Sequence, residues 1–235
     1  MSTKHEMELA GRMLTIETGR MAQQAHGSAL VTYGETVVLV TAVMGGVREG
    51  LDFFPLTIEY EERLYAAGRI PGSFFRREGR PTTEATLSAR LTDRPLRPRF
   101  PKGMRNEVQI ISTILSVDHV NQPDIMTIIG ASAALSVSHI PFDGPIAATR
   151  MGYVDGQHVV NPTWEELSRS KLDLSIAGSR DAVIMIEAGA KEVSEEVVLE
   201  ALRIGQETNV KVIELQDRIV AEVSPVKAEV KVAEP

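Results

Sequence analysis

The positive charge of this 235-residue chain is concentrated between residues 63 and 105. That stretch holds eleven lysines and arginines against three acids, so its net charge is +8, although the formal net charge of the whole chain is −7. Cations gathered in one stretch of an otherwise acidic protein are suited to hold a polyanion or several phosphates at one place. These cations are Arg63, Arg69, Arg76, Arg77, Arg80, Arg90, Arg94, Arg97, Arg99, Lys102 and Arg105.

Two phenylalanines stand beside two arginines in the middle of this stretch, in a segment bracketed by Gly72 and Pro81. Glycine and proline at its two ends predict a loop. Aromatic rings stack on bases and guanidinium groups bind phosphates, so the pairing favours single-stranded nucleic acid over a small metabolite. The alternatives are a pair of core aromatics and solvated loop charge. The four residues are Phe74, Phe75, Arg76 and Arg77.

A helix is predicted directly after the loop. A threonine cap followed by Glu84 is typical of a helix N-terminus. Pro95 and Pro98 predict that the helix ends at about Arg94, because proline removes a backbone donor and clashes with the preceding turn. Its predicted core anchors are Leu87 and Leu91.

Three arginines recur along this helix at spacings of four and three residues. Arg90 and Arg94 therefore share a helical face, and Arg97 extends that side just past the helix end. This side of the helix belongs to the basic stretch that is suited to hold a polyanion or several phosphates. The alternative is a salt-bridged helix face that involves Asp93 or Glu84.

The remaining pattern predicts an α+β fold, a mixed β-sheet packed with helices, in which residues 1–223 form one domain. Residues 224–235 are predicted to be a linker cut mid-sequence. The strand at 108–115 lacks strict alternation, so we expect burial on both of its faces. The predicted strands are 13–17, 29–33, 36–43, 56–60, 108–115, 146–154, 157–160, 171–177 and 182–187, and the predicted helices are 123–138 and one or two from 194 onward.

Composition restricts the classes of protein to which the chain can belong. It contains no cysteine, which excludes disulfides and thiolate metal sites and fits a reducing compartment. No apolar run approaches the roughly 18 residues that a membrane-spanning helix needs, so we expect no membrane partner. The polar and acidic N-terminus is not a signal peptide, and a cytoplasmic location is expected. The five histidines show no metal-ligand spacing.

Several segments closely resemble the bacterial polynucleotide phosphorylase family, and in particular the first of its two ribonuclease-PH-like core domains. The resemblance covers residues 8 to 223, and the loop carries its longest motif. The matching segments are DFFPLT (52–57), YAAGRIPGSFFRREGRP (65–81), RLTDRPLR (90–97), NQPD (121–124), IGASAAL (129–135) and KLDLSIAG (171–178).

This resemblance implies a phosphate-dependent 3′→5′ exoribonuclease that releases nucleoside diphosphates in mRNA degradation. The family is a ring-shaped homotrimer through which single-stranded RNA threads, with inorganic phosphate as the nucleophile and Mg²⁺ (or Mn²⁺) as the assisting metal. By resemblance, the four loop residues above narrow the channel, and Arg90, Arg94 and Arg97 face the RNA end.

The chain departs from the active repeat of the family at two places. The turn that should be rich in serine for phosphate binding contains Pro123 and Asp124, and proline removes an amide while aspartate repels an anion. Asp173 is kept, but the position six residues upstream is Leu167, and the nearby acids are out of register. We therefore predict no catalytic residue and no metal ligand in this chain, and an isolated chain that is inactive or nearly so. The nearby acids are Glu165 and Glu166.

Two functions from different classes remain open at this point. One is the RNA-binding core domain of an exoribonuclease whose phosphate and metal chemistry is completed by a second repeat. The other is a non-catalytic module for RNA binding and trimer assembly, with no activity of its own. An ordinary structural domain whose basic stretch is buried in ion pairs is a third possibility.

Overall fold

A computed structural model describes residues 2–47, 50–70, 72 and 79–230. These residues form ten strands and four α-helices. The strands are β1 (Thr3–Leu9), β2 (Arg12–Thr18), β3 (Gly27–Tyr33), β4 (Thr36–Val47), β5 (Leu56–Glu61), β6 (Asn106–Ser116), β7 (Ala147–Val154), β8 (Gln157–Val160), β9 (Leu172–Gly178) and β10 (Val183–Ala190). The helices are α1 (Thr83–Leu96), α2 (Pro123–Val137), α3 (Trp164–Arg169) and α4 (Glu195–Val223).

A six-stranded sheet is built from the first half of the chain in the order β1-β2-β3-β4-β6-β5. All its neighbours are antiparallel except β5 and β6, which run parallel. The predicted strands 29–33 and 36–43 are confirmed as the hairpin of β3 and β4, and Gly34 in its turn has φ +62°, a conformation that glycine adopts without strain. Strand β1 was not predicted. It is an edge strand that pairs with β2 along its whole length.

The second half of the chain forms a four-stranded sheet in the order β10-β9-β7-β8. The predicted strands 146–154 and 157–160 are confirmed as β7 and β8, and the tight turn between them consists of Asp155 and Gly156, with φ values of 49° and 83°. One long helix, α4, follows the sheet, which settles the question of one helix or two. Within the part of the chain that the structure describes, no helix is long and apolar enough to cross a membrane.

Helix α2 lies at the centre of the molecule and packs against β3 and β4 of one sheet, β7 of the other, and α4. It is buried on all sides, because every residue from Ile125 to Ser136 is buried. Ser132 donates to Gln216 Oε1 at 2.8 Å and accepts from Ile146 N at 2.8 Å, so these buried polar groups are satisfied. The α+β fold class is confirmed.

Two local expectations were wrong. Strand β6 alternates, with Val108, Ile110 and Ile114 buried on one face, instead of being buried on both faces. Helix α1 runs to Leu96 and includes Pro95 in its last turn. Proline is tolerated there because it removes only one of the last hydrogen bonds, and a 3₁₀ turn takes over immediately afterwards.

The segment after α4 contains no helix or strand among its described residues, 224–230. It nevertheless contacts the core. Lys227 Nζ donates to the carbonyl oxygens of Leu135 (2.8 Å), Ser136 (3.0 Å) and Ser138 (2.8 Å) at the C-terminal end of α2. Ala228 N donates to the carbonyl oxygen of His139. The division into a domain of residues 1–223 and a linker of residues 224–235 stays a prediction.

Candidate nucleic-acid interface

Four predicted RNA contacts, Phe74, Phe75, Arg76 and Arg77, lie outside the described residues, so their roles stay predictions. The described residues that flank them are at the protein surface. Ile70 is 89% exposed, and Gly72, Gly79 and Arg80 are exposed as well.

Helix α1 begins where the sequence predicts. Thr82 Oγ1 accepts a hydrogen bond from Ala85 N at 3.0 Å and donates one to Glu62 Oε2 at 2.7 Å, which ties the helix start to the end of β5. Of the two predicted core anchors, Leu91 is buried but Leu87 is 56% exposed, so the expectation for Leu87 was wrong. The helix buries a stripe formed by its residues at positions 85, 91, 92, 95 and 96, and Leu87 lies beyond the edge of that stripe in the less covered first turns.

The three predicted arginines of this region differ in how far they are free to bind a ligand. Arg97 donates to both carboxylate oxygens of Asp93, at 2.7 and 2.9 Å, and to the carbonyl oxygens of Phe54 and Leu56 at 3.1 and 3.2 Å. It therefore ties the end of α1 to the start of β5.

The other two arginines lie on the exposed side of α1. Arg94 forms an ion pair with Glu187 on β10. Arg90 is exposed and has no hydrogen-bond or ion-pair partner within the described part of the chain. The geometry thus supports the salt-bridge alternative for Arg94 and Arg97 and leaves Arg90 available. The RNA contacts of all three stay predictions.

Two other arginines of the stretch form ion pairs with acids of the same chain. Arg63 pairs with Glu61 at 2.6 Å, and Arg99 pairs with Asp143 at 3.1 Å. These pairs hold both arginines against the protein itself. Arg90 shares its availability with Arg69, Arg80 and Lys102, which are also exposed and have no side-chain hydrogen bond or ion pair within the described part of the stretch.

The start of α2 is poorly suited to bind an anion. Pro123 has no amide proton, and Asp124 Oδ1 accepts the hydrogen bond of Ile125 N at 2.8 Å. Gln122 is buried, and among the described residues both polar atoms of its side chain lack a hydrogen-bond partner. A helix N-terminus binds phosphate through free amides, and here a carboxylate uses one of them. The geometry agrees with the interpretation of this turn from sequence.

Arg150 is a residue of this region that sequence reasoning missed. Its guanidinium lies between two acids: Nη1 is 3.0 Å from Asp124 Oδ2, and Nε is 2.9 Å from Asp173 Oδ1. Burial tends to lower the pKa of Arg150, but the two carboxylates outweigh it and raise that pKa. The only signal in the sequence was a lone arginine within an otherwise apolar strand.

Of the two glutamates near Leu167, Glu166 is engaged in capping its own helix. Glu166 Oε2 accepts from Thr163 N at 2.8 Å while Glu166 N donates to Thr163 Oγ1, which is a capping box at the start of α3. The Thr163 N–H holds the pKa of the Glu166 carboxyl below its usual value. Glu165 is exposed on the same short helix. No group of three or more histidines, aspartates or glutamates in the described residues could hold a metal ion.

A groove of about 360 Å³ runs beside the start of α2, between α1 and the turn that follows β5. It is lined in part by Arg69, Ser88, Asp124 and Trp164. Trp164, the single tryptophan of the chain, is 51% exposed. An exposed indole close to a guanidinium can stack on a base while the cation binds a phosphate. Sequence reasoning did not single out Trp164, because only the fold brings it close to α1.

The sequence matches two family models. One is described as the 3′ exoribonuclease family, domain 1, and matches residues 10–141, and the other is domain 2 of the same family and matches residues 144–208. In structure, the chain is similar to Rrp46 of rice (Oryza sativa), with a TM-score of 0.65, 15% identity and coverage of 94% of both chains. At that identity the likeness supports the ribonuclease-PH-like fold alone.

Curated relatives are much closer in sequence. The chain is 53% identical over 230 residues to the polyribonucleotide nucleotidyltransferase of Syntrophomonas wolfei, and 59% identical over 201 residues to that of Thermomicrobium roseum. These alignments cover 97% and 85% of this chain but only 33% and 25% of the relatives. The chain thus spans a third or less of the length of these relatives.

The relatives bear out the resemblance to the polynucleotide phosphorylase family that the loop and helix motifs indicated. The two family models cover most of the chain, and the fold agrees with them. We conclude that this chain belongs to the 3′ exoribonuclease family and corresponds to a ribonuclease-PH-like core of a polynucleotide phosphorylase.

Proposed function

We propose that this chain is the RNA-binding core domain of a phosphate-dependent 3′→5′ exoribonuclease that releases nucleoside diphosphates in mRNA degradation. The observation that carries the proposal is the identity of 53–59% to polyribonucleotide nucleotidyltransferases over most of the chain. The complete enzyme is proposed to work in the cytoplasm as a homotrimer on single-stranded RNA. Its Mg²⁺ (or Mn²⁺) and inorganic phosphate are proposed to be held by residues outside this chain.

The geometry of the described residues supports RNA binding by this chain and catalysis by residues outside it. Exposed Arg90 on α1 offers a cation to a polynucleotide, and Arg69 and Trp164 offer a cation and an aromatic face in a groove that Glu62, Glu84 and Asp124 also line. Asp124 and Asp173 share the single positive charge of Arg150, and no group of three or more acids or histidines among the described residues could hold a metal ion. This chain would therefore bind the RNA, while phosphorolysis requires catalytic groups from residues outside this chain.

A second candidate is a non-catalytic module for RNA binding and trimer assembly, with no activity of its own. The pairing of both acids with Arg150 favours it for the chain taken alone. Both candidates make the same prediction for the purified chain incubated with poly(A), inorganic phosphate and Mg²⁺, and the ADP released is measured. We expect none. Release of ADP by the chain alone would show that it carries a complete catalytic centre.

RNA binding by the basic stretch is tested by fluorescence anisotropy of a labelled oligo(A) over a range of salt concentrations. For single strands, log K falls with log salt by about 0.7 for each phosphate neutralised. Arg90→Ala should flatten this slope by about that amount. Arg218→Ala, which removes an equally exposed arginine from α4, is the matched control and should leave the slope unchanged. If the two substitutions flattened the slope equally, the overall charge of the chain, and not the position of Arg90, would determine RNA binding.

Stacking by the loop is tested in the same assay. Phe75→Ala should weaken RNA binding by about 1–3 kcal/mol if the ring stacks on a base. Phe53→Ala is the control, since Phe53 is an exposed phenylalanine (57%) outside the loop. Unchanged affinity of the Phe75 variant, with lowered stability, would instead favour the core-aromatic alternative.

A further inference from the structure

The two acids that could be expected to hold a cation in this chain already enclose one that belongs to the protein. Arg150 on β7 and Asp173 on β9 are diagonal neighbours, because Asp173 pairs with Gly152, two residues along β7. Side chains two residues apart on a strand point to the same face, so the sheet register brings Arg150 and Asp173 together. Asp124 reaches the same guanidinium from the second position of α2.

Two of the three side chains in this arrangement are largely buried. The side chains of Arg150 and Asp124 are only 15% and 16% exposed, and that of Asp173 is 43% exposed. Two carboxylates this close to one another repel, and a cation between them is needed to offset the repulsion. Arginine keeps its proton under all physiological conditions, so the cation cannot be lost by deprotonation.

A divalent ion would need the same position. Mg²⁺ is typically bound by one or two carboxylates while water completes its octahedral shell. Here the oxygens that would bind it, Asp124 Oδ2 and Asp173 Oδ1, lie within 3.0 Å of guanidinium nitrogens. The ion and its waters therefore have no room between the acids while Arg150 is in place, and the residues present do not fit a metal.

We propose that Arg150 is a built-in cation which takes the place of a divalent metal ion between Asp124 and Asp173, and that removing its side chain opens a latent metal site. This inference deepens the proposed function, on which it rests, since it gives a reason why these two acids do not hold the metal that phosphorolysis requires. It also assigns Arg150 a positioning role: the residue fixes the start of α2 against β7 and β9.

The inference is tested by titrating Mn²⁺ into the whole chain and following free Mn²⁺ by electron paramagnetic resonance. The unmodified protein should bind no stoichiometric Mn²⁺. Arg150→Ala should bind one ion, roughly tenfold or more tightly than any binding to the unmodified protein, because two carboxylates become free to coordinate it. Adding Asp173→Asn to that variant should abolish the binding, and Arg150→Lys, which keeps a cation in place, should bind no ion.

Two outcomes would overturn the inference. One is stoichiometric Mn²⁺ binding by the unmodified protein that Asp173→Asn removes. The other is a folded Arg150→Ala variant that binds no Mn²⁺. If that variant does not fold alone, Mn²⁺ should restore its circular dichroism and Trp164 fluorescence by binding the native state, and failure to do so would equally contradict the inference. RNA binding by the unmodified protein is measured separately, so a failure of the proposed function would be recognised independently.

Discussion

Asp118 stabilises the loop that leads into α2, and its substitution provides a sharp test of this geometry. Its Oδ1 accepts from Val120 N at 2.8 Å and Asn121 N at 2.7 Å, and its Oδ2 accepts from Glu35 N at 3.1 Å. Burial tends to raise the pKa of Asp118, but the backbone N–H groups of Asn121 and Val120, together with the side chains of Asn121 and Thr36, outweigh it and lower that pKa from 3.8 to about 2. The carboxylate thus joins the β3–β4 turn to the start of α2.

Asp118→Asn keeps the shape of the side chain but removes its charge. The pKa shift corresponds to roughly 2.4 kcal/mol in full, and we reduce it to about 1–2 kcal/mol because the carboxylate is largely exposed to solvent. For a chain of this size, that loss lowers the Tm by about 3–6 °C. A carboxyl whose pKa is lower in the folded state stabilises the protein above pH 3.8, and this contribution disappears as the pH falls towards 2.

The assay is urea unfolding followed by Trp164 fluorescence and circular dichroism at several pH values. We expect the unfolding free energies of Asp118→Asn and the unmodified chain to differ at pH 7 and to converge as the pH falls below 3.8. Asp181→Asn, at an exposed position in the β9–β10 turn, should show no difference at any pH. Equal stability at pH 7, or a gap that persists unchanged at low pH, would refute the reasoning.

Three further predictions concern packing and capping. Lys227→Met should lower the free energy of unfolding by about 1–3 kcal/mol, because three carbonyl groups at the end of α2 lose their donor; Lys211→Met, an exposed lysine of α4, should not, and equal urea midpoints for the two variants would contradict this. Gly130→Ala should destabilise by about 1–3 kcal/mol, since its Cβ would lie 2.6 Å from Val40 Cγ2; a gain in Tm, as expected for an exposed helical glycine, would show that α2 packs less closely on the sheet. Arg97→Ala should cost about 1 kcal/mol more stability than Arg90→Ala, because only Arg97 ties α1 to β5; equal losses in urea unfolding would contradict the assignment.

Local sequence patterns were enough to predict elements that are buried on all sides or that contain a characteristic turn residue. Helix α2 was predictable because it is apolar on every side over four turns, and the β3–β4 hairpin because β-branched runs flank Gly34. The alternating burial of β6 could not be predicted from the sequence, because Ile111 on its second face is apolar although it is only partly buried. For Leu87, the spacing of four residues to Leu91 was correct, but which side of α1 meets the sheet is decided by tertiary packing.

The candidate site was predictable in its residue types but not in its contacts. The arginines and the weak phosphate turn at Pro123 and Asp124 follow from sequence order alone. The position of Arg150 between Asp124 and Asp173 depends on the register of β7 against β9 and on the docking of α2, which no local pattern specifies. The pairing of Arg94 with Glu187 likewise joins residues far apart in the chain.

The preference of the intact chain for unpaired RNA is the most direct measurement of its proposed role. Single-stranded and duplex RNA of the same length are compared as competitors for a labelled oligo(A) at fixed salt. We expect the single strand to compete more strongly, and the combined substitution of Phe74 and Phe75 by alanine to abolish that preference, because duplex bases cannot stack on the rings. Equal competition by the duplex, or a preference that survives the double substitution, would contradict the proposal that guanidinium groups and paired phenyl rings together bind a single strand.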